Sequence, residues 1–296
     1  MDTNVIKNFG SINIDNVYRL DRLPRAGETL VAQEFARFMG GKGLNQSVAA
    51  QRSGADVWHI GAVGPDGDWA LDQMRAFGLD CSHIFRVEAP TGNAVITVDQ
   101  AGENQIVILG GANQTLDQAL LGDVLAGLGP QDWVVLQNET SFVHQIALAA
   151  KARGARVAYS AAPFDAHHAV PMLDMIDLLA VNEHEAAELA RATGKSVADL
   201  PVDMVLITYG ARGAELRQNS ARLHQKSFPA DVVDTTGAGD TFLGAFLARL
   251  DVTGDAEHAL RYAAAAAALQ VEQPGAATAI PSFDAVTEFL TRKAEA

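Results

Sequence analysis

The stretch DTTGAGDTF at residues 234–242 sets a carboxylate, Asp240, directly after Gly237, Ala238 and Gly239 and directly before an apolar run. Phe242, Ala245, Phe246 and Leu250 recur at helical spacing. The small residues therefore stand at a helix N-terminus, where unpaired N–H groups and the positive dipole end favour an anion. A carboxylate fixed in the same turn can take a proton from an attacking hydroxyl. A plain Gly-rich turn would use the same residues, so this motif alone leaves both readings open.

Three other clusters carry chemistry of a compatible kind. GGKGLNQ at 40–46 is not a P-loop, because Lys42 is followed by Gly43 rather than Ser or Thr. Its glycines beside Lys42 and Asn45 suit close backbone approach to a polar ligand, and equally a loop-to-helix turn. GSINIDN at 10–16 places Asn13 and Asp15 two residues apart. In an extended segment they point the same way and suit vicinal hydroxyls, although Asn and Asp also fill ordinary turns. In VNEHEAAEL at 181–189, Asn182 ends a strand and Glu185 stands one helical turn on. The pair suits a hydrated Mg²⁺ near phosphates, although in isolation a helix capping box is the better reading of the same two residues. His184 reads as a surface residue, and the pair His167–His168 has no partner at metal-ligand spacing.

Something must bring these distant clusters together. Apolar runs at 5–9, 57–61, 133–136, 157–159, 178–181 and 205–208 read as buried strands. They alternate with helical patterns at 45–53, 69–77, 143–153 and 185–193. Such alternation predicts a mostly parallel sheet with helices on both faces, and ligands beyond the strands' carboxyl ends. The six alanines 263–268 predict a buried, closely packed helix. Residues 18–39 and 91–111 break the pattern. TGNAVITVDQAGENQIVILGG alternates like a hairpin, and the two segments together predict a small separate sheet.

The 296 residues suffice for a large core, and the net charge of −14 opposes non-specific binding to nucleic acid or anionic membranes. No apolar run approaches the roughly 20 residues of a membrane span, and the first twenty residues show no signal-peptide pattern. A cytoplasmic protein is expected. Cys81 is the only cysteine, which excludes an intramolecular disulfide, and it reads as a packing residue.

In chain order, GSINID, PRAGET, GGKGLNQSVAAQRSGA, TGNAVITVDQAGENQIVILGGAN, VNEHEAAEL, ITYGARGA and DTTGAGDTF resemble the motifs of the ribokinase family of carbohydrate kinases. The likeness covers nearly the whole chain. GSINID with GGKGLNQ resembles the ribokinase branch more than the fructokinase or adenosine kinase branches.

The resemblance implies one kinase domain over 1–296, a Rossmann-like αβα sandwich with a mostly parallel central sheet. A small β-sheet lid would come from about 16–39 and 91–111. ATP would give its γ-phosphate to a primary hydroxyl of a pentose, D-ribose before others. A nucleoside such as pseudouridine, another sugar, or a catalytically silent sugar-binding role are the alternatives. By matched position, Asp240 is the base and Gly237, Ala238 and Gly239 form the anion hole. Asn13, Asp15, Gly41, Lys42, Asn45, Glu139 and Asp240 bind sugar. Asn182, Thr208, Gly210, Gly213 and Gly239 line ATP, with Ala264 where the family often carries a polar residue against adenine. Glu185 organises Mg²⁺ through water. Asp234, Thr236, Gln270, Gln273 and Gly275 hold an activating K⁺, partly by backbone carbonyls. Val95, Ile106 and Ile108 are expected on the lid's outer face, where two lids would clasp into a homodimer.

Overall fold

The computed structural model describes residues 4–218 and 221–295. Its strands, in chain order, are β1 (Ile6–Phe9), β2 (Asn13–Arg19), β3 (Glu34–Gly40), β4 (Val57–Val63), β5 (Ile84–Arg86), β6 (Gly92–Val98) and β7 (Asn104–Leu109). They continue with β8 (Trp133–Gln137), β9 (Arg156–Ser160), β10 (Leu178–Asn182), β11 (Met204–Thr208), β12 (Ala214–Gln218) and β13 (Ala221–Gln225). The helices are α1 (Lys42–Arg52), α2 (Asp68–Ala76), α3 (Gln118–Ala126), α4 (Val143–Ala152), α5 (Ala166–Met172), α6 (Glu183–Thr193), α7 (Ala238–Thr253), α8 (Ala256–Gln270) and α9 (Phe283–Glu295).

The large sheet runs β13-β12-β11-β10-β9-β8-β1-β4-β5. It is parallel from β11 to β5, with β12 and β13 added antiparallel at one edge. Alternate strand residues serve opposite layers, as the pleat requires. Val134 and Leu136 pack with α3 to α6, whereas Trp133 and Val135 pack with α7, α8 and α9. Small side chains let the second layer close up: Ala263, Ala264, Ala265 and Ala266 of α8 are buried there.

The elements expected from sequence form at their expected places, with ends shifted by one to three residues. The largest shift is α1, which begins at Lys42 because Gly41 takes φ 99° and caps it. Gly43 then lies so close to β1 that a Cβ on it would stand 2.3 Å from Gly10 Cα. The hairpin β12–β13 was not foreseen, because an edge hairpin exposed on one side carries a mixed pattern, AELRQ and ARLHQ.

Chain order reverses between β1 and β8. From β1 the sheet grows one way through β4, and from β8 it grows the other way. Crossover connections leave their carboxyl ends on opposite faces there, which opens a crevice.

The second sheet rises directly from this crevice. Its order is β3-β2-β6-β7, and only β2 with β6 is parallel. Its strands span 13–40 and 92–109, a few residues wider on the β2 side than the sequence suggested. The register corrects one expectation. Asp15 pairs with Ala94 and Ala94 with Ile108, whereas Val95 pairs with Val107. Ile106 and Ile108 therefore share the face of Asn13 and Asp15, and Val95 lies on the opposite face. The period of two within one strand was legible, but which residues face each other across strands depends on register.

Candidate active site

Three chain turns are stitched together where β1 and β8 end. Glu139, just past β8, accepts hydrogen bonds at Oε2 from Ser11 Oγ (2.5 Å) and from the Lys42 N–H (2.9 Å). Ser11 Oγ accepts from the Gly43 N–H at 3.2 Å. Asn113 joins the next turn: its Oδ1 accepts from the Ile12 N–H (2.9 Å) and its Nδ2 donates to Asn13 Oδ1 (2.8 Å). The first polar residues of β2 are thereby fixed against the start of α1.

Asp240 lies in the first turn of α7 and is only 8% exposed. Asn45 Nδ2 donates to its Oδ2 (3.1 Å) and Gln46 Nε2 to its Oδ1 (3.0 Å). Burial raises the Asp240 pKa, against Lys42 and these two donors, which favour the anion. Burial also opposes the charge on Lys42, yet Asp240, Glu139 and Glu185 around it hold its pKa above the ordinary lysine value. Burial, with Glu139 adding to it, pushes Asp15 up to about 6. Three carboxylates thus converge on one lysine.

Gly237 caps α7 in the left-handed region, φ 76°. The Ala238 N–H turns back to Thr235 O at 3.2 Å. Among the described residues, the N–H groups of Gly237, Gly239 and Asp240 carry no such bond, so the free donors of the turn are the two glycines and the first main-chain N–H beyond them. A Cβ on Gly239 would meet open space, which leaves its backbone approachable.

A cleft leads away from Asp240 over this turn, lined by Lys42, Asn182, Glu185, Thr208, Gly237 and Gly239. It continues past Thr208 and Gly239 into an apolar cleft lined by Gly210, Gly213, Pro229, Val232, Phe242 and Ala264. Asn182 and Glu185 do form a full capping box: Asn182 Oδ1 accepts from the Glu185 N–H (2.9 Å) and Glu185 Oε2 from the Asn182 N–H (2.8 Å). The capping-box reading is therefore borne out, and the cap places Glu185 on the wall of the cleft, where burial raises its pKa.

Beneath the α7 start, Asp234 ties two loops. Its Oδ1 accepts from the Thr236 N–H (2.9 Å) and its Oδ2 from the Gly275 N–H (2.9 Å). Gln270 Nε2 donates to Thr236 O (2.8 Å), while Gln270 Oε1 is buried without a donor. Gln273 is exposed, and its N–H donates to Gln270 O at 3.0 Å.

The residues predicted to bind sugar, nucleotide or cation thus fall at the crevice, along the cleft or in the loops beneath it. Sequence reasoning passed over Ser11, Gln46 and Asn113, although all three lie inside or beside the quoted motifs. Asn8 and Gln137 were missed too, and the signal was there: each is a polar residue in a strand with every residue buried.

A buried carboxylate facing free helix-start N–H groups, a lysine and an apolar side cleft at a sheet's switch point defines an α/β enzyme of anionic group transfer. The chain belongs to the pfkB family of carbohydrate kinases, whose profile matches residues 4–282. It is 36% identical to a ribokinase of Haemophilus influenzae over 95% of this chain and 97% of that one. A ribokinase structure from Thermotoga maritima superposes with a TM-score of 0.87 at 31% identity, over 98% of this chain and 100% of that one. The Arabidopsis thaliana ribokinase complexed with ribose and ATP gives a TM-score of 0.85 at 30% identity, over 97% and 98%.

Proposed function

We propose that this chain transfers the γ-phosphate of ATP to a primary hydroxyl of a pentose, D-ribose first among them. The observation that carries the reading is Asp240, buried and held by two amide donors, with Lys42 and the Gly237–Gly239 turn beside it. Asn13 and Asp15 share one face of β2 and offer acceptors for two hydroxyls; Glu139, Gly41 and Asn45 complete that side. Asp240 takes the proton of the attacking hydroxyl. The free N–H groups of Gly237 and Gly239, together with Lys42, stabilise charge on the moving phosphoryl. Thr208, Gly210 and Gly213 line the nucleotide, and the base enters the apolar cleft at Ala264. The reading places the protein in the cytoplasm, where ATP is supplied.

Glu185 suits a Mg²⁺ bound through water, because its Oε1 is left over from the capping box. The metal would neutralise phosphate charge there. The loops of Asp234, Thr236, Gln270, Gln273 and Gly275 suit a K⁺, since Gln270 Oε1 is a buried acceptor without a donor beside a carboxylate. The second sheet is read as a lid over the sugar. Its exposed Ile106, Val107, Ile108 and Leu109 on β7 favour a homodimer through the lids.

The test is ADP release from the purified protein with ATP, Mg²⁺ and K⁺ against a panel of pentoses, hexoses and nucleosides. Ribose should give the highest kcat/KM. Absence of acceptor-dependent ADP release with every compound would overturn the kinase reading, and preference for a nucleoside would replace the substrate.

A further inference from the structure

A line of buried hydrogen bonds runs from Asp240 into the molecule. Gln46 Nε2 donates to Asp240 Oδ1 at 3.0 Å. Gln137 Nε2 donates to Gln46 Oε1 (2.8 Å) and to Asn8 Oδ1 (2.9 Å). Asn8 Nδ2 donates to the main-chain oxygen of Gly43 (2.8 Å) and to Ser47 Oγ (2.9 Å). Ser47 Oγ in turn lies 2.8 Å from His59 Nδ1. None of the five side chains behind Asp240 is more than 2% exposed. They come from α1, β8, β1 and β4, and their hydrogen bond to α7 is the one from Gln46 to Asp240.

The direction of this line is determined. A carboxamide has one donating and one accepting end, and its partners decide which lies where. The Gly43 carbonyl can only accept, so Asn8 must turn its NH₂ toward it and its oxygen toward Gln137. Gln137 must then present NH₂ to Asn8, and the same NH₂ reaches Gln46 Oε1. Gln46 is left with its NH₂ toward Asp240. The arrangement leaves Gln137 Oε1 buried without a donor. Apolar residues of similar size would pack here without that cost, so stability alone does not account for the line.

We infer that Gln46 is a positioning residue for the general base, with Gln137 and Asn8 setting the direction in which its amide points. Gln46 holds one oxygen of Asp240 from inside the protein and favours the anion that accepts the proton. This role rests on the kinase reading given above. The other charged groups facing Asp240 are Lys42 at the start of α1, Glu139 past β8 and Glu185 on α6. The variants below leave all of them in place.

The test measures kcat, KM for ribose, the pH profile of kcat and the melting temperature of wild type, Gln46→Leu, Gln46→Glu, Gln137→Glu and the double variant Gln46→Leu with Gln137→Glu. Losing a hydrogen bond to a charged group should lower kcat of Gln46→Leu roughly ten- to hundredfold, with ribose KM changed far less. The acid limb of its profile should move to higher pH, because the carboxylate has lost a donor. Gln46→Glu keeps the shape and the bond from Gln137, and should show the same limb shift. It serves if Gln46→Leu fails to fold. Gln137→Glu does not touch Asp240. It should draw the Gln46 NH₂ toward itself, turn Gln46 Oε1 onto Asp240 and shift the same limb. The double variant should be no worse in kcat than Gln46→Leu alone. Folded Gln46 variants with wild-type kcat and an unmoved limb would overturn the assignment. So would losses at Gln46 and Gln137 that multiply, as two independent structural defects do. A wild type without ADP release dependent on any acceptor of the panel would overturn the kinase reading instead, and this assignment with it.

Discussion

Asp240 works under opposed demands. As the proposed base it must be ionised to accept a proton, yet burial raises its pKa, and Lys42 with two amide donors opposes that rise. Asp240→Asn keeps the size and removes the proton acceptor. Turnover should fall roughly 10²–10⁴-fold, the usual worth of a positioned base, while ribose KM changes little. A purely structural Asp in a first helical turn would show the reverse, a lower melting temperature with turnover intact; measuring both on one variant separates them. Asp15 makes a second prediction. Its pKa stands at about 6, so lowering the pH through that value protonates it in the free enzyme. The neutral carboxyl has fewer acceptor sites for sugar hydroxyls. KM for ribose should therefore rise as pH falls from 7 to 5, and Asp15→Asn should flatten that dependence. A KM independent of pH in the wild type would remove Asp15 from the sugar contacts.

At the scale of elements, three pieces carry the site. α1 delivers Lys42, Asn45 and Gln46 from its first turns, and α7 delivers Asp240 from its own first turn. Both helix starts are capped by glycines with positive φ, Gly41 and Gly237. The small sheet is the other piece. Ile106 pairs with Ile96, on the same face as Asp15, and is 52% exposed. Between two lids, such a face would bury apolar area in both copies. Ile106→Asp would place a carboxylate there, and burying an unpaired charge costs several kcal/mol. The wild type should sediment as a dimer at micromolar concentration and the variant as a monomer. Equal sedimentation of the two would refute a lid-mediated contact through this face.

At the scale of the whole molecule, His59 reports on the packing of α1 against the sheet. It is fully buried, and burial, against a main-chain contact with Gly10, depresses its pKa from 6.5 to about 4. In the unfolded chain it takes a proton below about 6.5. The folded protein resists that proton until about 4. The stability it contributes is therefore complete above 6.5 and is lost as pH falls from 6.5 toward 4. The melting temperature of the wild type should drop through that window, and His59→Gln should drop less steeply. Parallel curves for the two proteins would mean that His59 is not the group that titrates.

The sequence by itself determined the alternation of strands and helices, the small second sheet and the identity of most polar groups at the crevice. Those features are local: the strand period, the helix period and the glycine turns each lie within a few neighbouring residues. DTTGAGDTF announced a helix start with a carboxylate in it, and GGKGLNQ announced another. Only the tertiary structure decided what meets what. Gln46 and Asp240 are 194 residues apart, and Gln137 lies 91 residues from Gln46. Whether Asn8 is a flaw in an apolar strand or an anchor for the base depends on which strand ends beside β1. The faces of Val95 and Ile106 likewise followed from cross-strand register. A side chain's type limits what it can donate or accept, but the direction of its bond is set by partners that the fold brings within 3 Å or so.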